Sequence, residues 1–350
     1  MKAELILENG MRFAGELCGD EREVVGEIVF STGMGVGYQE AITNPATAGQ
    51  IVVATFPLLG NYGANSIDME SDKAYMTALV VREKCDYPSN FRCEKTLDQF
   101  MKEQGVVGLS GVDTRALTRV IRDNGTMKGA IVTSDVSDSD AKERMNKLDN
   151  TGLVMKVTTK EKYVYSDKGN VNVAVIDLGA KRSTLEELAK RDAKVTVFPA
   201  DSKADEIMAI KPDVVFLSGG PGNPQDAPAV ETVKELLGKV KVCGIALGHM
   251  VIALALGCKT EKMSFGHHGS NCPVKDIASG KVLITSQNDN YVITELEDGV
   301  FETFKNVNDG TIAGFECKAK NAEGVLFTPH GGESVFEDGF VFDRFLGKED

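Results

Sequence analysis

The chain is short of several things that would advertise a function. Its four histidines, His249, His267, His268 and His330, lie on distant segments, whereas a structural zinc site needs ligands at short, regular spacings; no metal site is expected. The seven cysteines, at positions 18, 85, 93, 243, 258, 272 and 317, contain no C-x-x-C pair. The opening "MKAELILENG" alternates and carries acids, so it reads as a strand and not as a secretory leader, and reduced thiols in a cytoplasm are expected. No apolar run reaches the roughly 18 residues that a membrane span needs. Basic residues are outnumbered, 39 Lys and Arg against 52 Asp and Glu, and no concentrated basic patch stands out. A net charge of −13 therefore argues against a nucleic-acid or anionic-membrane partner, either of which needs clustered cations to displace counterions.

What is present divides in two. With 350 residues there is room for two domains with their own cores. The first 150 residues mix short alternating strands such as "AELILE" and "QIVVATF" with Gly-rich turns and two helices, an α+β pattern. "TLDQFMKEQG" stops on Gly105; "DTRALTRVIRDNG" opens on Asp113 as N-cap, lines Leu117, Val120 and Ile121 along one face, and stops at Asn124-Gly125. "STGMGVG" lacks a P-loop lysine and a following helix, so it reads as a turn. Residues 151–170 are polar and read as a surface linker. From 171 to 350 strands such as "VNVAVIDLG", "KVTVFPA", "DVVFLSGGPG" and "VKVCGIA" alternate with helices, which predicts an α/β fold with a mostly parallel sheet flanked by helices. Ligands of such sheets sit at the carboxyl ends of the strands, where "GGPGNP" and the turn Gly244-Ile245-Ala246-Leu247-Gly248 both fall. That turn has the outline of a nucleophile elbow, yet the projecting residue, Ala246, carries no nucleophile.

The residues around these landmarks resemble a known family. The second half, through "DLGAKRS", "FLSGGPGNP", "GIALGH", "FGHHGSNCPV" and "FDRF", resembles a class I glutamine amidotransferase domain. The first half, through "GYQEAITNPATAGQIV", "FPLLGNYG", "SNFR" and "GVDTRALTRVIRDNG", extends the resemblance to the small subunit of carbamoyl-phosphate synthase over nearly the whole chain. The resemblance implies a chain that hydrolyses glutamine and passes ammonia to a large subunit, for arginine and pyrimidine biosynthesis. It implies no cofactor in this chain; ATP and magnesium belong on the partner. Hydrolysis in the family uses a cysteine thiolate on the elbow, a histidine that takes its proton and a glutamate that orients the histidine.

Carried over by position, those three roles fall on Ala246, Thr328 and His330, and none of the three residues can fill its role. The family glutamine after the elbow becomes Met250, a family serine becomes Ala46, and the amide-recognition run falls on Gln287, Asn288, Asp289, Asn290 and Tyr291. Gly220 and Gly222 of "GGPGNP", with Leu247, retain the backbone of an oxyanion and substrate loop. Cys243, inside the strand, is expected to be buried and inert, and His267 and His268 to be structural. The leading expectation is a small-subunit homologue that has lost glutamine hydrolysis and acts as a non-catalytic partner or regulator of an ammonia-using large subunit. Two alternatives stand beside it. One is a working glutamine-hydrolysing small subunit; the other is a free-standing small-molecule-binding module with a pocket lined by Gly220, Gly222, Met250, Asn288, Tyr291 and His330.

Overall fold

In the computed structural model, which describes residues 1–34, 37–330 and 337–348, two units are distinguished: 1–150 with 264–269, and 151–263 with 270–350. The first unit carries strands β1 (Lys2–Leu7), β2 (Arg12–Gly19), β3 (Val24–Ser31), β4 (Gln50–Ala54), β5 (Leu58–Leu59), β6 (Ala78–Val80), β7 (Glu83–Lys84), β8 (Val107–Ser110) and β9 (Met127–Thr133). Seven of them close into a barrel in the order β1-β2-β8-β6-β4-β3-β9, with Ala3 of β1 opposite Thr133 of β9. Closure leaves no open edge to blunt, and Leu5, Ile28, Ile51, Val53, Leu109 and Ile131 fill the inside. The α+β pattern of the sequence did not disclose this closure, because it depends on pairing the first strand with the ninth.

Helices α1 (Tyr38–Thr43), α2 (Leu97–Gln104), α3 (Thr114–Asn124) and α4 (Asp138–Asn146) accompany the barrel. Their ends follow local chemistry. Thr96 and Gln99 form a capping box on α2, which ends on Gly105 at φ 68°. Asp113 accepts from the Ala116 N–H at 3.0 Å to start α3, whose Leu117 and Ile121 join the barrel core. The first motif of this half and the segment around the second hold one another. Tyr38 stacks on Tyr62 with ring centres 4.2 Å apart and donates its hydroxyl to the Gly63 carbonyl, while Asn65 N–H donates to Gln39 Oε1 at 3.0 Å. Of the "STGMGVG" stretch, Gly35 and Val36 lie outside the described residues.

The second unit begins with the segment read as a linker, and part of it is ordered into secondary structure. Residues 153–157 form helix α5 (Leu153–Val157), and Tyr163–Ser166 is strand β10, paired antiparallel with β12 (Ala193–Pro199). Tyr163 and Val164 of this edge strand are exposed. The parallel core runs β12, β11 (Val171–Asp177), β13 (Val214–Leu217), β14 (Lys241–Ile245) and β19 (Ala322–Val325). It is extended by β18 (Ile312–Cys317), β16 (Val282–Glu295), β15 (Lys259–Asp276) and β17 (Phe301–Asn306). The 264–269 part of β15 is tied into the first unit through Thr126 N–H to Ser264 O and Thr32 N–H to His268 O.

Both faces of the parallel strands are buried, so neighbouring residues feed different cores. Ala174, Ile176, Val215, Leu217 and Val242 join one core, while Val173, Val175, Phe216, Cys243 and Ile245 join the other. The first core also takes Val251 and Ile252 of α9 (Leu247–Ala255), and the second takes Phe342 and Phe345 of α10 (Phe340–Phe345). Ahead of α9 in the chain lie α6 (Arg182–Lys190), α7 (Ala204–Met208) and α8 (Ala229–Leu236), each preceding the next parallel strand. The α/β reading of this half is therefore correct for its parallel core; its antiparallel extension had no clear signature.

Candidate functional site

The elbow joins β14 directly to α9. Ala246 sits at φ 47°, ψ −116°, a conformation that an L-residue adopts at a cost of about 1–3 kcal/mol. Several groups hold it there: its N–H donates to Val325 O at 2.9 Å, its carbonyl accepts from Met250 N–H at 3.3 Å, and Gly248 N–H donates to Ser218 O at 3.1 Å. The elbow geometry is thus intact while the side chain it presents is a methyl group, half-buried and unable to attack a carbonyl.

The "GGPGNP" loop faces that methyl. A Cβ built on Gly219 would lie 3.4 Å from Ala246 Cβ, and one on Gly220 would lie 2.1 Å from Leu178 O and 3.0 Å from Leu247 Cδ2. Gly220 is therefore required by close packing, and Gly222, at φ 93°, by its backbone conformation. Ser218 anchors the loop, accepting from Leu178 N–H and donating to Gly219 O, both at 2.9 Å.

β19 runs parallel to β14, with Val325 beside Ile245, so the following "TPH" leaves the sheet at the same end as the elbow. Thr328 is half-buried, and its N–H donates to Ser286 O at 2.9 Å. The backbone N–H of His330 donates to Asp338 Oδ1 at 2.9 Å, and its ring Nδ1 lies 3.2 Å from Oδ2 of the same fully buried carboxylate. Asp338 was missed from the sequence because it lies in no motif. An imidazole tied to a carboxylate has the form of a base with its orienter, but the residue it would have to activate is Ala246.

Of the positions matched to amide recognition, Met250 and Tyr291 join an apolar cluster. Met250 is 2% exposed and packs with Val292 and Leu326, with Tyr291 and Met263 against them. Met250 therefore lies inside a core cluster. Asn288 and Asn290 are half-buried and both are engaged. Ala46 belongs to the first unit, in the 3-10 turn Pro45–Thr47, where its N–H donates to Asn44 Oδ1 at 3.0 Å. His249 is fully buried on Phe315, with ring centres 4.9 Å apart, and burial pushes its pKa down to about 3, so it stays neutral and structural. Cys243 is fully buried, with Sγ 3.9 Å from Val215 O; burial pushes its thiol well up and makes it inert, as expected.

Asp289 is a residue whose behaviour the sequence did not reveal. Its carboxyl is buried, Oδ2 has no hydrogen-bond partner among the described residues, and burial pushes its pKa up to about 8 against the opposing Asn288 N–H. The unfolded carboxyl ionises near about 4, so between about pH 4 and 8 the unfolded state binds fewer protons than the native one. Stability therefore falls as pH rises through that window. Asp289→Asn should remove that part of the slope, leaving stability unchanged near pH 4 and raised above about pH 8. Thermal unfolding of both chains across this range checks it, and parallel curves would refute it.

Comparison with known proteins gives a consistent outcome. Residues 5–131 match the family described as carbamoyl-phosphate synthase small chain, CPSase domain, and residues 174–347 match glutamine amidotransferase class-I. The chain is 46% identical over 347 residues, 99% of each chain, to the carbamoyl phosphate synthase small chain of Clostridium perfringens. It is 45% identical over 351 residues to the small chain of Bacillus caldolyticus, covering 99% of this chain and 96% of that one. It is 43% identical over 352 residues to the pyrimidine-specific small chain of Bacillus subtilis, covering 99% and 95%.

Proposed function

The chain belongs to the carbamoyl phosphate synthase small-chain family, and on that premise we propose that it works as a small chain beside a large, carbamoyl-phosphate-forming partner without itself hydrolysing glutamine. The observation that supports this is the elbow: its strained backbone is kept at φ 47°, while its side chain is the methyl of Ala246. The base and orienter positions carry Thr328 and His330, and Met250, where the family has glutamine, is buried in an apolar cluster with Val292 and Leu326. Cys243, three residues upstream of the elbow, is buried and inert. On this reading the chain caps or tunes a large subunit that holds ATP and magnesium and is fed by free ammonia.

A second reading, a working glutamine-hydrolysing small chain, has its own support. The full-length relatives carry the small-chain name, in one case the pyrimidine-specific one, and nothing in those names points to a lost activity. Ammonia release from glutamine by the purified chain, alone and with the large chain of the same organism, separates the two. The non-hydrolysing reading expects no release above buffer in either case, together with stable co-purification of the two chains. Steady turnover would establish the second reading, and failure to associate would remove the partner role.

A further inference from the structure

The absence of a basic patch, expected from the sequence, does not hold in three dimensions. Arginines 12, 22, 92, 122, 144, 191 and 344 each pair with a carboxylate, and Arg182 is engaged as well. Three arginine side chains have no ion pair or hydrogen bond among the described residues, namely Arg82, Arg115 and Arg119, and all three line one cleft of the first unit, with a volume of about 620 Å³. Arg122 shares the cleft, together with hydroxyl-bearing Thr55, Thr114 and Thr118.

The fold gathers them deliberately. Arg115, Arg119 and Arg122 lie at i, i+4 and i+7 of α3, away from the Leu117 and Ile121 face that enters the barrel. Arg82 arrives from the end of β6, held by Gly111 N–H to Arg82 O at 3.1 Å, and the neighbouring Glu83 N–H to Pro57 O at 2.9 Å brings in the Thr55–Pro57 turn. Asp113 is the sole acid of the lining, and its Oδ1 is already committed to the cap of α3. Like charges spaced four apart on a helix destabilise it. In a chain of net charge −13, where seven arginines pair with a carboxylate, Arg82, Arg115 and Arg119 are left without one among the described residues.

We propose that the cleft is an oxyanion site that takes a small ligand bearing phosphate or carboxylate groups. Guanidinium forks bind both groups through paired, charge-assisted hydrogen bonds, and the volume falls within the roughly 300–1,000 Å³ of small-ligand sites. The site shares no residue with the elbow and does not rest on whether glutamine is hydrolysed.

Titration calorimetry on the full chain with inorganic phosphate, pyrophosphate and citrate, each against chloride of equal ionic strength, tests this. Pyrophosphate or citrate should bind at one site per chain. Arg82→Gln and Arg119→Gln, from different elements, should each weaken binding about 10- to 100-fold, whereas Arg22→Gln, outside the cleft, should not. All three are exposed side chains, and an unchanged thermal transition confirms that each variant is folded. Heats no larger than those of chloride would overturn the proposal, as would affinities unaltered in the Arg82 and Arg119 variants. So would loss of association with the large chain in those variants while no anion binds, since the arginines would then be meeting a partner's carboxylates.

Discussion

An Ala246→Cys chain releases no more ammonia from glutamine than the unmodified chain, while Ala246→Cys/Thr328→His/His330→Glu exceeds both by about a thousandfold or more. The reason is the non-additivity of residues that act as one unit. Where a nucleophile and its base have been removed separately and together, losing either costs nearly as much as losing both, so restoring one member restores almost nothing. A cysteine at 246 would enjoy the N-terminus of α9 but would lack a histidine to take its proton and to return it to the leaving amine. His330 stands at the orienter's position and not at the base's, and Asp338 holds its backbone and ring there. Coupled measurement of ammonia and glutamate over several enzyme equivalents is the assay. Turnover by the single variant would mean that a base survives nearby. If the triple variant stays silent until Met250→Gln is added, the apolar cluster of Met250, Val292 and Leu326 is what excludes the amide.

How much of this was legible beforehand differs by element. Periodicity and caps located α2, α3 and the run from β11 to α9, because those signals are local and each was satisfied by the nearest residues. The elbow was legible for the same reason: two glycines four apart between a strand and an apolar helix have few other uses. The barrel closure, the edge strand β10 and the Asp338 carboxylate under His330 were not legible, since each depends on a partner distant in the chain or on which residues end at an edge. The arginine cleft lay half in view. Three of its four arginines stand in "DTRALTRVIRDNG", but there the apolar stripe of the helix, which decides folding, drew the reading away from the opposite face. Asp289 was recognised as a position in a motif, and only its burial shows that its pKa is pushed up.

Gly248→Ala is the substitution expected to damage the second unit most. Its Cβ would stand 2.5 Å from Leu217 O, 2.7 Å from Leu217 Cβ and 2.8 Å from Leu217 C, so the first turn of α9 would be forced off the end of β13. Leu217 cannot give way: it is fully buried, and β13 is a central strand held by β11 on one side and β14 on the other. Moving α9 instead would break the Gly248 N–H to Ser218 O bond and open the packing of Val251 and Ile252. Overpacking of this kind typically costs about 1–3 kcal/mol where side chains can adjust, and more where backbone meets backbone, so a loss of at least about 3 kcal/mol is expected. Gly219→Ala is the control, because its nearest neighbour would be the Ala246 methyl at 3.4 Å and its backbone needs no left-handed conformation. Denaturant unfolding should separate the two by several kcal/mol. Equal midpoints would mean that the elbow can shift as a body. The strained φ of Ala246 would then be kept by something other than the grip of α9 on β13, and the case that the elbow persists as part of the core after its chemistry has gone would fail with it.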